Sequence, residues 1–91
     1  MIYMITYDLH QAGRNYPRVN ELLTSNGAIH PMGSFWLIDT ALPIANWRDM
    51  LKAVMDDNDE IFVARVTANT WASFNLDPAA VSWLKSPARS W

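Results

Sequence analysis

Cysteine is absent from this 91-residue chain. That excludes disulfides, thiolate metal sites and cysteine nucleophiles together, and makes the reducing cytoplasm the default expectation. Glycine is scarce: Gly13, Gly27 and Gly33 are the only three, too few and too scattered to assemble a phosphate-cradling loop. No apolar run approaches the roughly 20 residues of a membrane-crossing helix. No basic segment precedes an apolar one in the manner of an export signal. Basic residues never run together, and 7 Lys and Arg against 9 Asp and Glu give a formal net charge of −2. Composition therefore lends nothing to strong, sequence-independent binding of a phosphate backbone. Apolar residues make up 51% and charged residues 18%, which argues against disorder. At 10.4 kDa the chain supports one domain with a single modest core.

The order of elements is more informative. Ile2 to Tyr7 is β-branched, aromatic and almost wholly apolar, and reads as a strand ending at Asp8. Gln11 to Asn15 reads as a loop. Pro17 then fits the first turn of a helix capped at Asn15 or Tyr16. Tyr16, Val19, Leu22 and Leu23 share one face of it, and Asn26-Gly27 is its stop. Ala28 to Met32 contains Pro31, which cannot donate to a ladder and so belongs at a sheet edge. After a turn at Gly33, Ser34 to Thr40 is a second strong strand. Pro43 opens a helix from Ile44 to Met55 with an apolar stripe of Ile44, Trp47, Leu51, Val54 and Met55. Glu60 to Val66 is a further strand. Residues 67–76 are ambiguous, and Thr70, Trp71 and Phe74 could form a short fifth strand. Asp77-Pro78 is an N-cap and first-turn proline for a helix to Lys85, and Ser86 to Trp91 is a loose tail. The order points to an α+β, ferredoxin-like βαββαβ sandwich over residues 1–85, with a short C-terminal strand/helix extension and a tail at 86–91.

A sheet covered on one face alternates apolar and polar residues. This one does not. Ile2 and Met4 point one way, Tyr3, Ile5 and Tyr7 the other; Trp36 and Ile38 oppose Phe35 and Leu37; Ile61 and Val63 oppose Phe62, Ala64 and Val66. Two short helices cover only one face, so the other must meet something apolar. A second copy is the economical partner, giving a homodimer; the alternative is that the C-terminal segment folds over that face in cis. The core is expected to include Ile5, Leu22, Leu23, Leu37, Leu51, Val54 and Phe62.

Candidate chemistry gathers at the end of the first strand. Asp8 suits Mg²⁺, which takes oxygen ligands and tolerates one or two carboxylates; it also suits a loop cap bonded to the N–H groups of residues 10 and 11. His10, two residues on, is a candidate base or second ligand, and Ser34 is expected beside Asp8 because its strand runs antiparallel to the first. His30 is an isolated histidine, and no spacing indicates zinc. Asp56, Asp57 and Asp59 read as a solvated turn. Arg14, Arg18, Arg48 and Lys52 could form a modest basic surface for nucleic acid, or be ordinary helix-surface charge diluted by Glu21 and Asp49.

The strand Met1-Ile2-Tyr3-Met4-Ile5-Thr6-Tyr7-Asp8-Leu9, followed by a loop, an amphipathic helix, a Gly, a short strand and then Ser34-Phe35-Trp36-Leu37, resembles the small CRISPR-associated adaptation proteins. It is also similar to VapD-type toxins and SinR-like proteins of the same fold. The SinR-like branch is nearest in Tyr7-Asp8-Leu9, Phe35-Trp36-Leu37-Ile38, Asn58-Asp59-Glu60, Arg65-Val66-Thr67 and Ser82-Trp83-Leu84-Lys85. The resemblance covers roughly residues 1–85 through short, loose motifs. It implies a homodimer in which Asp8 approaches its counterpart and holds Mg²⁺. The implied activity is a metal-dependent endonuclease or endoribonuclease of a defence or toxin–antitoxin system. The alternative it leaves open is a non-catalytic adaptor for a protein or nucleic-acid partner. The chain departs from the family in having only Arg14 and Arg18 near the first helix, and Leu37 where the family's third strand carries Glu.

Overall fold

The computed structural model describes residues 1–10 and 16–91; the loop expected at 11–15, with Gly13 and the candidate cap Asn15, lies outside the described residues. The elements run β1 (Ile2–Asp8), α1 (Pro17–Ser25), β2 (Ile29–Met32), β3 (Phe35–Asp39), α2 (Ile44–Lys52), β4 (Glu60–Val66) and α3 (Pro78–Lys85). The four strands form one sheet in the order β2-β3-β1-β4, and every neighbouring pair is antiparallel. The molecule is thus a small α+β domain compatible with a ferredoxin-like fold. As Pro31 requires, β2 lies at an edge, and its register against β3 shifts between Ile29 and Met32.

Local chemistry sets the helix ends. α1 starts with Pro17 directly after Tyr16 and closes in a Schellman turn. There Gly27, at φ +79°, donates to Thr24, and Ala28 donates to Leu23. The positive φ explains the glycine. α2 ends at Lys52, one turn before the expected Met55, and residues 53–55 continue as turns. Val54 and Met55 still reach the core, half-buried. α3 begins as expected, with the Asp77 carboxylate accepting from the Ala79 N–H at 3.1 Å.

Both faces of the sheet are apolar, as the strands require, and each has its own cluster. On one face Tyr3, Ile5, Trp36 and Ile38 pack with Val19 and Leu23 of α1 and with Trp47 and Leu51 of α2. On the other, Ile2 and Leu37 pack with Leu84 of α3, and Met4, Val66, Trp71, Leu76, Trp83 and Trp91 gather round them. The chain's own C-terminal segment therefore covers part of the face that the strand pattern leaves open to a second copy or to that segment.

Three expectations are corrected here. Residues 67–76 form no strand. Thr67 and Thr70 close a turn instead, with Thr70 Oγ1 accepting from the Thr67 N–H at 2.9 Å, a local bond that competes with a ladder. The tail is not loose: Ser90 N–H donates to Asp39 Oδ2 at 2.8 Å, Arg65 donates to the Trp91 carbonyl at 2.7 Å, and Arg89 lies 4.3 Å over the Trp83 ring. Phe62 is not core but 61% exposed. It pairs with Thr6, so it lies on the α3 face near the Asp8 end, beyond the half that α3 covers.

Candidate metal centre

β1 ends in Asp8 and β4 begins with Glu60, and antiparallel pairing sets these two residues opposite each other. Opposed residues of an antiparallel pair project from the same side of the sheet. His10 then places its Nε2 2.9 Å from Glu60 Oε1. One ligand atom from each of Asp8, His10 and Glu60 lies within 4.8 Å of the others, and all three residues are exposed.

A second carboxylate layer holds His10. Its backbone N–H donates to Asp59 Oδ1 at 2.8 Å. Asp59 also accepts from the Asp56 N–H at 2.9 Å and from the Tyr16 hydroxyl at 3.3 Å. The end of β1, the start of α1 and the turn before β4 are thereby tied to one side chain. Desolvation pushes Asp59 upward, but the N–H groups of His10 and Asp56, with the Tyr16 hydroxyl and the His10 charge, outweigh it and hold the carboxyl below its ordinary range. The His10 imidazole is raised above its ordinary value. The hydrogen bond to Glu60 is the main cause, partly opposed by desolvation, and the charges of Asp8, Glu60 and Asp59 add to it.

The loop-cap role open to Asp8 thus falls to Asp59 as far as the His10 N–H is concerned; residue 11 lies outside the described residues. Among the described residues the Asp8 carboxylate has no hydrogen-bond partner, and neither Asp8 nor Glu60 pairs with a Lys or Arg. Ser34 sits in the β2–β3 turn at φ +56°, and its carbonyl accepts from the Tyr7 N–H at 3.3 Å. It therefore lies at the same end of the sheet, but across β1 from Glu60, and does not join the cluster. His30 stacks on Trp36, with ring centroids 4.0 Å apart, on the helical face and away from Asp8. Arg14 lies outside the described residues. Arg18 is exposed on α1, and Lys52 closes α2. Arg48 is bound to Asp49 at 2.9 Å, as the reading of ordinary helix-surface charge expects.

The sequence reading named Asp8 and His10 and missed Glu60; it read Asp59 as part of a solvated turn, whereas its carboxylate accepts from His10, Asp56 and Tyr16. The signal for Glu60 was available: a strand ending in a carboxylate beside an antiparallel strand that opens with one. Two carboxylates and an imidazole within this reach fit a divalent cation by donor type, at an open end of the sheet. No protein-family model matches the chain, and no curated protein matches it.

Proposed function

We propose that the chain is a metal-dependent nuclease of ferredoxin-like βαββαβ class, with Asp8, His10 and Glu60 holding the cation and RNA or DNA as substrate. The observation that carries this reading is the convergence of those three side chains, from chain segments about fifty residues apart, within 4.8 Å. The resemblance to CRISPR-associated adaptation, VapD-type and SinR-like proteins supplies the reaction class. A divalent cation, when bound, supplies charge to offset the phosphate and acidity to activate water. The chain's own part is to hold it. Asp8 and Glu60 bring negative charge, His10 brings a nitrogen donor, and Asp59 fixes His10 through its N–H. The open position admits a polymer, as a nuclease needs.

The reading takes the protein as a homodimer. Support for this is the half of the α3 face left bare, where Phe62, Met32 and Phe74 are 61%, 53% and 91% exposed. That bare half also favours a second reading, a non-catalytic adaptor, because exposed apolar patches are what protein partners cover. The test is cleavage of labelled RNA and DNA oligonucleotides with Mg²⁺ or Mn²⁺ and with chelator. Asp8→Asn is expected to lower activity at least tenfold with the circular dichroism spectrum unchanged. A wild-type protein silent with every ion would remove the nuclease and leave the adaptor. Cleavage that persists unchanged in Asp8→Asn would show that the activity arises elsewhere.

A further inference from the structure

We infer that Asp8, His10 and Glu60 form, within a single chain, a site for a transition-metal dication of the Mn²⁺-to-Zn²⁺ series in preference to Mg²⁺. This rests on the metal-holding part of the reading above and is independent of hydrolysis.

Like charges set directly opposite each other on neighbouring strands are destabilising, yet Asp8 and Glu60 are so placed. Among the described residues no Lys or Arg offsets either one; the only basic group within hydrogen-bond reach is the His10 ring on Glu60. The β1–β4 register sets the pair together, and a bound dication would turn its repulsion into a gain.

Donor type then selects the ion. Mg²⁺ takes oxygen ligands and gives up water reluctantly, while imidazole suits Zn²⁺ and its first-row neighbours. The spacing agrees. Two ligands at about 2.1 Å from an ion and at right angles to each other stand about 3.0 Å apart, and His10 Nε2 and Glu60 Oε1 are 2.9 Å apart. Trans ligands stand about 4.2 Å apart, so a group spanning up to 4.8 Å closes on an ion with a shift of less than about 1 Å in exposed side chains. Asp59 already holds the His10 backbone, which lowers the cost of ordering that ligand, as outer partners do at metal sites. All three ligands belong to one chain, so the stoichiometry is one ion per chain.

The test uses the untagged, metal-free full-length protein. Co²⁺ is titrated by its visible absorption, and Zn²⁺, Mn²⁺ and Mg²⁺ by calorimetry. The expected result is one ion per chain, with Mg²⁺ at least tenfold weaker than Zn²⁺ or Co²⁺. His10→Ala is expected to lower Co²⁺ affinity at least tenfold and to lower any weak Mg²⁺ binding by a smaller factor. Glu60→Gln, which keeps the shape of the side chain, is expected to weaken Co²⁺ as well, with both variants folded by circular dichroism. One ion per two chains, equal affinity for Mg²⁺, or a His10→Ala variant that binds Co²⁺ like the wild type would overturn the inference. An ion bound through His10 without cleavage would remove only the nuclease. Cleavage with Mg²⁺ and no transition-metal binding at His10 would remove only this inference.

Discussion

Leu84→Ala tests the most consequential feature of the fold, the cover that the chain lays over its own second sheet face. Leu84 is 4% exposed and packs with Ile2 and Leu37. The change removes three carbons, a transfer loss of about 2.4 kcal/mol at about 0.8 per methylene. Leu84 also borders an open apolar groove of about 460 Å³ shared with Met4, Phe35 and Trp71. Water and neighbouring side chains fill the space it leaves, which keeps the cavity contribution small and the total near the low end of the usual range, about 2–3 kcal/mol. A domain of this size is stable by about 5–14 kcal/mol, so the variant is expected to fold. Its melting temperature should fall by about 10–20 °C, at about 4–8 °C per kcal/mol. Urea unfolding followed by tryptophan fluorescence measures this directly, since Trp71, Trp83 and Trp91 surround the site. A loss under about 1 kcal/mol with an unchanged urea slope would refute the reasoning. It would mean that something other than α3, such as a second copy, covers this face in solution, and sedimentation of the wild type would then show the dimer.

Other perturbations report on other layers. Leu51→Ala, at a fully buried position between α2 and the sheet, has no open groove to relax into and is expected to cost about 3–5 kcal/mol in the same assay. Asp77→Ala removes the side-chain cap of α3 and is expected to cost about 1 kcal/mol, with Asp77→Asn retaining most of it. In the metal-free protein the His10 imidazole is expected to titrate above its ordinary 6.5, because its bond to Glu60 favours the charged form. The stabilisation it gives is therefore fully present below the unfolded value and fades as pH rises through the higher folded value. Proton NMR of the ring checks this, and Glu60→Gln should bring the midpoint back down.

How much was legible in the sequence differs by level. Strand and helix positions were largely readable, because β-branched runs, first-turn prolines and the Asn26-Gly27 stop are local signals that the structure honours. The ends of α2 and of residues 67–76 were not. The apolar stripe of α2 runs on through Val54 and Met55, and periodicity does not show where the backbone stops being helical. The Thr67–Thr70 turn is a side-chain bond that β-propensity does not count. Phe62 was misplaced for a different reason. Parity assigned it correctly to the face opposite the helices, but which half of that face would be covered depends on where α3 lands, and the segment after α3 is tied through Arg89 and Ser90 to Asp39, about fifty residues away.

The candidate site follows the same division. Asp8 and His10 are neighbours in sequence, so a reader finds them together. Glu60 and Asp59 come from a strand and turn about fifty residues away, and only the β1–β4 register brings them in. That register is itself constrained by the sequence. One residue of slip would put Phe62 and Ala64 on the helical face and turn Ile61 and Val63 away from Leu51 and Trp47. The apolar pattern that builds the core therefore also fixes Glu60 opposite Asp8. If the packing sets the register, the two carboxylates are obliged to meet whether or not a cation is present. Their mutual repulsion is then tolerated because the core outweighs it. A bound ion would convert that repulsion into a gain, so the metal-loaded protein is expected to unfold at higher urea than the metal-free one. The difference should vanish in an Asp8→Asn, His10→Ala double variant. A wild-type midpoint unmoved by saturating Co²⁺ would mean that the native state binds the ion no better than the unfolded chain does, and the cross-strand pair would have to be explained by packing alone.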